Sequence, residues 1–141
     1  MAGIMTSDEL NRLLKRHDLG DDFLEKNLLF DTEFFTLTSP YYLSAMMYAN
    51  NKMAWYWDDQ NKHYMLADCN RFHFMWLGHF QEWCTKHNIA NPAIGRAYGK
   101  WEGIHHAWAW VLVENELMFL NWGQEVKPSG VNYIGKGSVA V

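Results

Sequence analysis

Cys69, His106 and Asn121 follow one another along the chain, and together their residue types could run nucleophilic chemistry on an acyl group. A thiol attacks as its thiolate. It therefore needs a base within hydrogen-bond reach, and the base needs a third group, such as Asn or Asp, to fix its imidazole tautomer. In that scheme His106 takes the Cys69 proton, the thiolate attacks a carbonyl, and water or an amine resolves the acyl-enzyme. The backbone N–H of Cys69 and a side chain shortly upstream, His63 or Tyr64, are the candidate oxyanion donors. Each residue taken alone also has a plainer account: a small buried apolar cysteine, a satisfied core histidine, a turn-forming asparagine.

Two elements must position this set. The stretch Asp68 to His87 places Cys69, Phe72, Trp76, Phe80, Trp83 and Cys84 on one helical stripe, with Arg71, Gly78, Gln81, Glu82 and Thr85 opposite. Phe74, Met75 and Leu77 widen the apolar arc, so the helix is expected to be covered on most sides. Asp68 is a good N-cap and puts Cys69 in the first turn, where the helix dipole eases formation of a thiolate. Cys84, near the other end, meets the unfavourable end of the dipole and reads as structural. The second element is a hairpin: Gly103 to Val113, then Glu114-Asn115, then Glu116 to Gly123. A two-residue loop pairs Val113 with Glu116 and sets Trp108 opposite Asn121. His106 then shares a face with Asn121 in diagonal contact range, and His105 points the other way.

The rest of the chain supplies the frame. Thr6-Ser7-Asp8-Glu9 is a capping-box pattern opening a helix that runs towards Leu19, and Phe23 to Leu28 adds a further helical turn. Leu29 to Leu37 reads as a short strand, Ser39-Pro40 starts a helix ending near Asn50, and Trp55 to Tyr64 is a loop or short strand. Asn88 to Pro92 is a turn, Ala93 to Tyr98 a strand, and Val131 to Ile134 a final strand.

Composition bounds the function. A length of 141 residues fits one domain with its own core, spanning 1–141: a helical part over about 1–60, then the central helix and sheet over about 68–141. Two cysteines and no secretory h-region point to a reducing, cytoplasmic setting. The longest apolar run, Ala107 to Val113, suits a buried strand and not a membrane span. A net charge of -4 without a Lys/Arg run gives no footprint for nucleic acid. Aromatic content of 16%, with 8 Trp, fits a core of large side chains or a sugar-stacking surface.

On these motifs the chain resembles the papain-like and transglutaminase-like cysteine peptidase superfamily, in its small single-domain type, similar to the C-terminal domain of the Marasmius agglutinin and to phage-encoded relatives. Cys69 and Phe72, then His106-Ala107-Trp108 with Trp110, then Asn121-Trp122-Gly123-Gln124 carry the resemblance, over about residues 60 to 135. It implies an α+β fold, N-terminal and central helices on an antiparallel sheet, with Cys69, His106 and Asn121 catalytic and no cofactor. Asn70 and Arg71 depart from the acidic pair common in those domains, which leaves their metal site unsupported here. Asn121 stands where many have Glu, which makes Gln124 a rival third member.

The reading is thus a thiol hydrolase or transferase, a thiol protease in the broad sense, acting on a protein or peptide substrate. One rival is a silent interaction module with a host protein partner, such as a phage-encoded inhibitor. Another is a carbohydrate-binding domain using Trp55, Tyr56 and Trp57. Cys69 with His73 (i, i+4) and Cys84 with His87 (i, i+3) could each share a metal. Lying about 21 Å apart by helical rise, the two pairs cannot form one site, and no zinc motif accompanies them.

Overall fold

The computed structural model describes residues 3–17, 19, 33–65 and 68–140. In chain order the elements are β1 (Gly3–Thr6), α1 (Ser7–Arg16), β2 (Glu33–Thr36), α2 (Ser39–Met53), a 3-10 turn, β3 (Trp57–Asp58), β4 (His63–Tyr64), α3 (Cys69–Lys86), β5 (Ile94–Trp101), β6 (Ile104–Val113), β7 (Glu116–Asn121), β8 (Gln124–Val126) and β9 (Tyr133–Ala140). The antiparallel sheet has the order β8-β7-β6-β5-β9, and β1 with β2 and β3 with β4 make separate two-stranded ribbons. This is the expected α+β class.

Local chemistry accounts for the helices. Thr6 caps α1 through Glu9 in a full capping box, and Leu10, Leu13 and Leu14 form its buried face. Pro40 stands in the first turn of α2. The Asp68 side chain accepts the Arg71 N–H at 2.9 Å and starts α3 at Cys69. β1 was not anticipated; it pairs with β2, inside the segment expected to be extended. The helical turn expected over Phe23 to Leu28 lies outside the described residues.

β6 is the spine of the molecule. Ala109, Val111 and Val113 pack with α2 and α3, whereas Trp108, Trp110 and Leu112 pack with α1 on the opposite face. A strand buried on both faces has no need of alternation, which is why Ala107 to Val113 reads as one apolar run. Trp76, Phe80, Trp108, Trp110 and Phe119 are wholly buried, each stabilising the fold by about 2–3 kcal/mol by area burial. The 16% aromatic content is thus mainly core.

Two expectations need correction. The central helix is not covered on most sides: Phe74 is 41% exposed and is capped by the Arg96 guanidinium 4.3 Å from its ring. Tyr56 is packed against the α2–α3 core, so it does not stand beside Trp55 and Trp57 as a sugar-facing ring.

Candidate functional site

The hairpin register is the one the loop length dictates. Val113 pairs with Glu116 and Ala109 with Leu120, and continuing that ladder sets Asn121 level with Trp108. His106, two residues along, reaches Asn121: its Nε2 lies 2.6 Å from the amide Oδ1. An amide oxygen only accepts, so Nε2 carries the proton and Nδ1 is left to take one. His105 is exposed and has no bond to Asn121.

Cys69, at the first position of α3, lines a groove of about 420 Å³ with Asn70, Arg96, Tyr98, Gly99, His105, His106 and Ala107. Gly99, which lines the groove, also lets the β9 backbone approach β5 closely, because a Cβ there would run into the Ile134 carbonyl oxygen. Cys69 is partly exposed and Cys84 is buried. Among the described residues no hydrogen bond joins the Cys69 sulfur to His106.

One residue ties the helix to the hairpin. His73 is wholly buried one turn along α3; its Nδ1–H donates to the Cys69 carbonyl at 2.6 Å and its Nε2 accepts the Trp122 N–H at 3.0 Å. Both nitrogens are used only by the neutral ring, and burial pushes its pKa down to about 3. Trp122 needs this anchor. It has φ 52° and is followed by Gly123 at φ 81°, the two positive-φ positions of a tight hairpin turn. Glycine adopts that geometry freely and tryptophan does not. Asn50 holds the same turn from α2, its Nδ2 donating to the Gly123 carbonyl at 3.1 Å while its Oδ1 accepts the Trp76 indole N–H at 2.8 Å.

A second groove, of about 720 Å³, is lined by Asn50, Ala54, Trp57, Lys62, His63, Tyr64, Trp122 and Gln124. The Tyr64 and Trp122 rings stack 5.7 Å apart, with Trp57 edge-on to Tyr64 at 4.8 Å. Trp57 is 40% and Trp55 83% exposed. His63, Tyr64 and Gln124 therefore sit together in this groove and not among the groups lining the Cys69 groove. Gln124 is exposed and pairs with Asn121 across the turn, whereas Asn121 is the residue that bonds His106.

The two Cys and His pairs considered for metal are explained by backbone contacts. His73 bonds the Cys69 carbonyl, and His87 donates from Nδ1 to the Trp83 carbonyl at 2.8 Å while stacking on the Trp83 ring. Sequence reasoning missed Trp122 as a lining residue of the second groove, and Arg96 as a cation of the first. A lone arginine inside the apolar strand Ala93 to Tyr98 was the available signal.

Neither a protein-family model nor a curated protein matches the chain. Its fold is similar to that of two solved structures. One is described as a PSL1a–E64 complex, with TM-score 0.70 and 18% identity, covering 96% of this chain and 50% of that one. The other is a Polyporus squamosus lectin bound to the human-type influenza-binding epitope Neu5Aca2-6Galb1-4GlcNAc, with TM-score 0.63 and 16% identity, covering 96% and 49%. The chain thus spans about half the length of the solved chains it resembles. These findings correct the expected membership of the papain-like and transglutaminase-like peptidase superfamily: no family model or curated relative supports it, and one of the two similar structures is described as a lectin. The hydrolase and thiol-protease vocabulary, and the protein or peptide substrate that went with it, are set aside on the same ground. No described helix is long and apolar enough to cross a membrane.

Proposed function

We propose that this chain binds carbohydrate in the groove beside Trp122. The observation that carries the reading is the arrangement of partly exposed rings there, Trp57 and Tyr64 against Trp122, rimmed by the polar groups of Asn50, His63 and Gln124. Flat aromatic faces cover the C–H faces of a sugar ring, and a few placed polar side chains fix its hydroxyls. The similar fold of a lectin described with a sialylated epitope supports this choice of ligand class. The test is titration of sialylated and neutral N-acetyllactosamine into wild type and Trp57→Ala, followed by tryptophan fluorescence. Saturable binding that weakens about tenfold in Trp57→Ala, the scale of a lost aromatic contact, is the expected result. Absence of saturation at millimolar sugar would sink the reading.

A further inference from the structure

The groove beside Cys69 holds a cation that no carboxylate neutralises. Arg96 projects from β5 with its guanidinium over the Phe74 ring at 4.3 Å and 5.7 Å from the Tyr98 ring. One Nη–H donates to the Asn70 side-chain oxygen, the buried Nε–H meets no acceptor, and among the described residues no carboxylate pairs with the group. The other titratable groups lining the groove are Cys69, Tyr98, His105 and His106. Asp68, beside it in sequence, is exposed and spends its carboxylate on the Arg71 N–H at the start of α3.

A guanidinium keeps its charge at any physiological pH, and partial burial makes that charge costly unless an anion meets it. The chain as a whole is at -4, so the positive sign here is local and not the field of the molecule. We propose that the Arg96 groove is a subsite for the carboxylate of a small organic acid. A carboxylate presents two coplanar oxygens to the planar fork, and the N–H groups of Cys69 and Asn70 at the positive end of α3 add donors of the same sign. Gly99 and Ala107 line the groove beside the polar groups and leave room for the carbon skeleton; a volume of about 420 Å³ suits a molecule of that size. The proposal needs neither glycan binding nor acyl transfer. Cys69 enters only as a reporter lying in the groove.

The experiment compares alkylation of Cys69 by iodoacetate and by iodoacetamide, which share one electrophilic carbon and differ in the carboxylate, in wild type, Arg96→Gln and Arg96→Lys, with Cys69 and Cys84 separated by peptide mass spectrometry. The iodoacetate-to-iodoacetamide rate ratio should fall about tenfold in Arg96→Gln and less in Arg96→Lys, which keeps the charge and loses the fork. In wild type, succinate should slow iodoacetamide alkylation of Cys69 at concentrations where succinamide does not. A ratio in folded Arg96→Gln within twofold of wild type overturns the proposal. If that variant does not fold, wild type decides: equal effects of succinate and succinamide overturn the subsite, and selective protection by succinate establishes it.

Discussion

The two ends of α3 carry one cysteine each and are built to opposite purposes. At the first turn Cys69 is partly exposed, its carbonyl is bonded by His73, and its neighbours in space are Asn70, Arg96 and His106. At the last turn Cys84 is wholly buried among apolar side chains, and burial pushes its pKa up to about 12. One end gathers polar groups around an opening, whereas the other seals the core. The difference teaches that residue type alone carries no chemistry: a thiol is usable where the surroundings stabilise its anion and admit a partner.

That contrast yields its largest effect in labelling. Cys69 should react with iodoacetamide at pH 7.5 at least about a thousandfold faster than Cys84, because the buried thiol holds almost no thiolate and is closed to reagent. Comparable native-state rates, read by peptide mass spectrometry, would erase the distinction between the ends.

Acidification sharpens the comparison through His73. Its folded pKa, about 3, lies below the ordinary value of 6.5, so below pH 6.5 the unfolded chain binds a proton that the folded chain refuses. Stability from the neutral ring is complete above pH 6.5 and drains away as pH falls towards 3, by up to about 1.4 kcal/mol per unit. Urea melts at pH 6.5 and 4.5 should therefore show a loss of about 2 kcal/mol more in wild type than in His73→Gln. Equal losses in the two proteins would remove His73 from the acid response.

Gly123→Ala attacks the turn that His73 and Asn50 hold. A Cβ there strains a residue at φ 81° and runs into the Asn50 side chain, so thermal or urea melts should register about 1–3 kcal/mol of destabilisation. A neutral result would mean that the turn is less tightly held than its contacts imply. Asn121→Ala is the mildest. It frees the His106 tautomer without touching the thiol, so Cys69 alkylation should slow about threefold to tenfold with the melting point nearly unchanged. An unaltered rate would separate Asn121 from the reactivity of Cys69.

Much of this was legible in the chain because it depends on short-range rules. Asp68 caps and Cys69 follows; Glu114-Asn115 sets a two-residue loop, and strand parity then obliges His106 and not His105 to face Asn121. The apolar run from Ala107 to Val113 reads as a buried strand from its length and composition alone. These features need only the helical period, the strand period and turn chemistry, all of which act over a few residues.

What tertiary structure alone decided was which of these pieces share a space. His63 and Tyr64 point to the thiol site by lying shortly upstream of Cys69, and Gln124 by standing as a rival third member beside Asn121 in the family resemblance. The β3–β4 ribbon and the Trp122 turn bring them into a different groove, where the Tyr64 and Trp122 rings stack. His73 acquired its role only when Trp122, 49 positions away, brought a backbone N–H to its free nitrogen. Arg96 became a groove cation only when α3 laid Phe74 and Asn70 against β5. Periodicity determines which face of an element a side chain occupies, but the partner across that face is chosen by how the whole chain buries its apolar surface, and that choice is global.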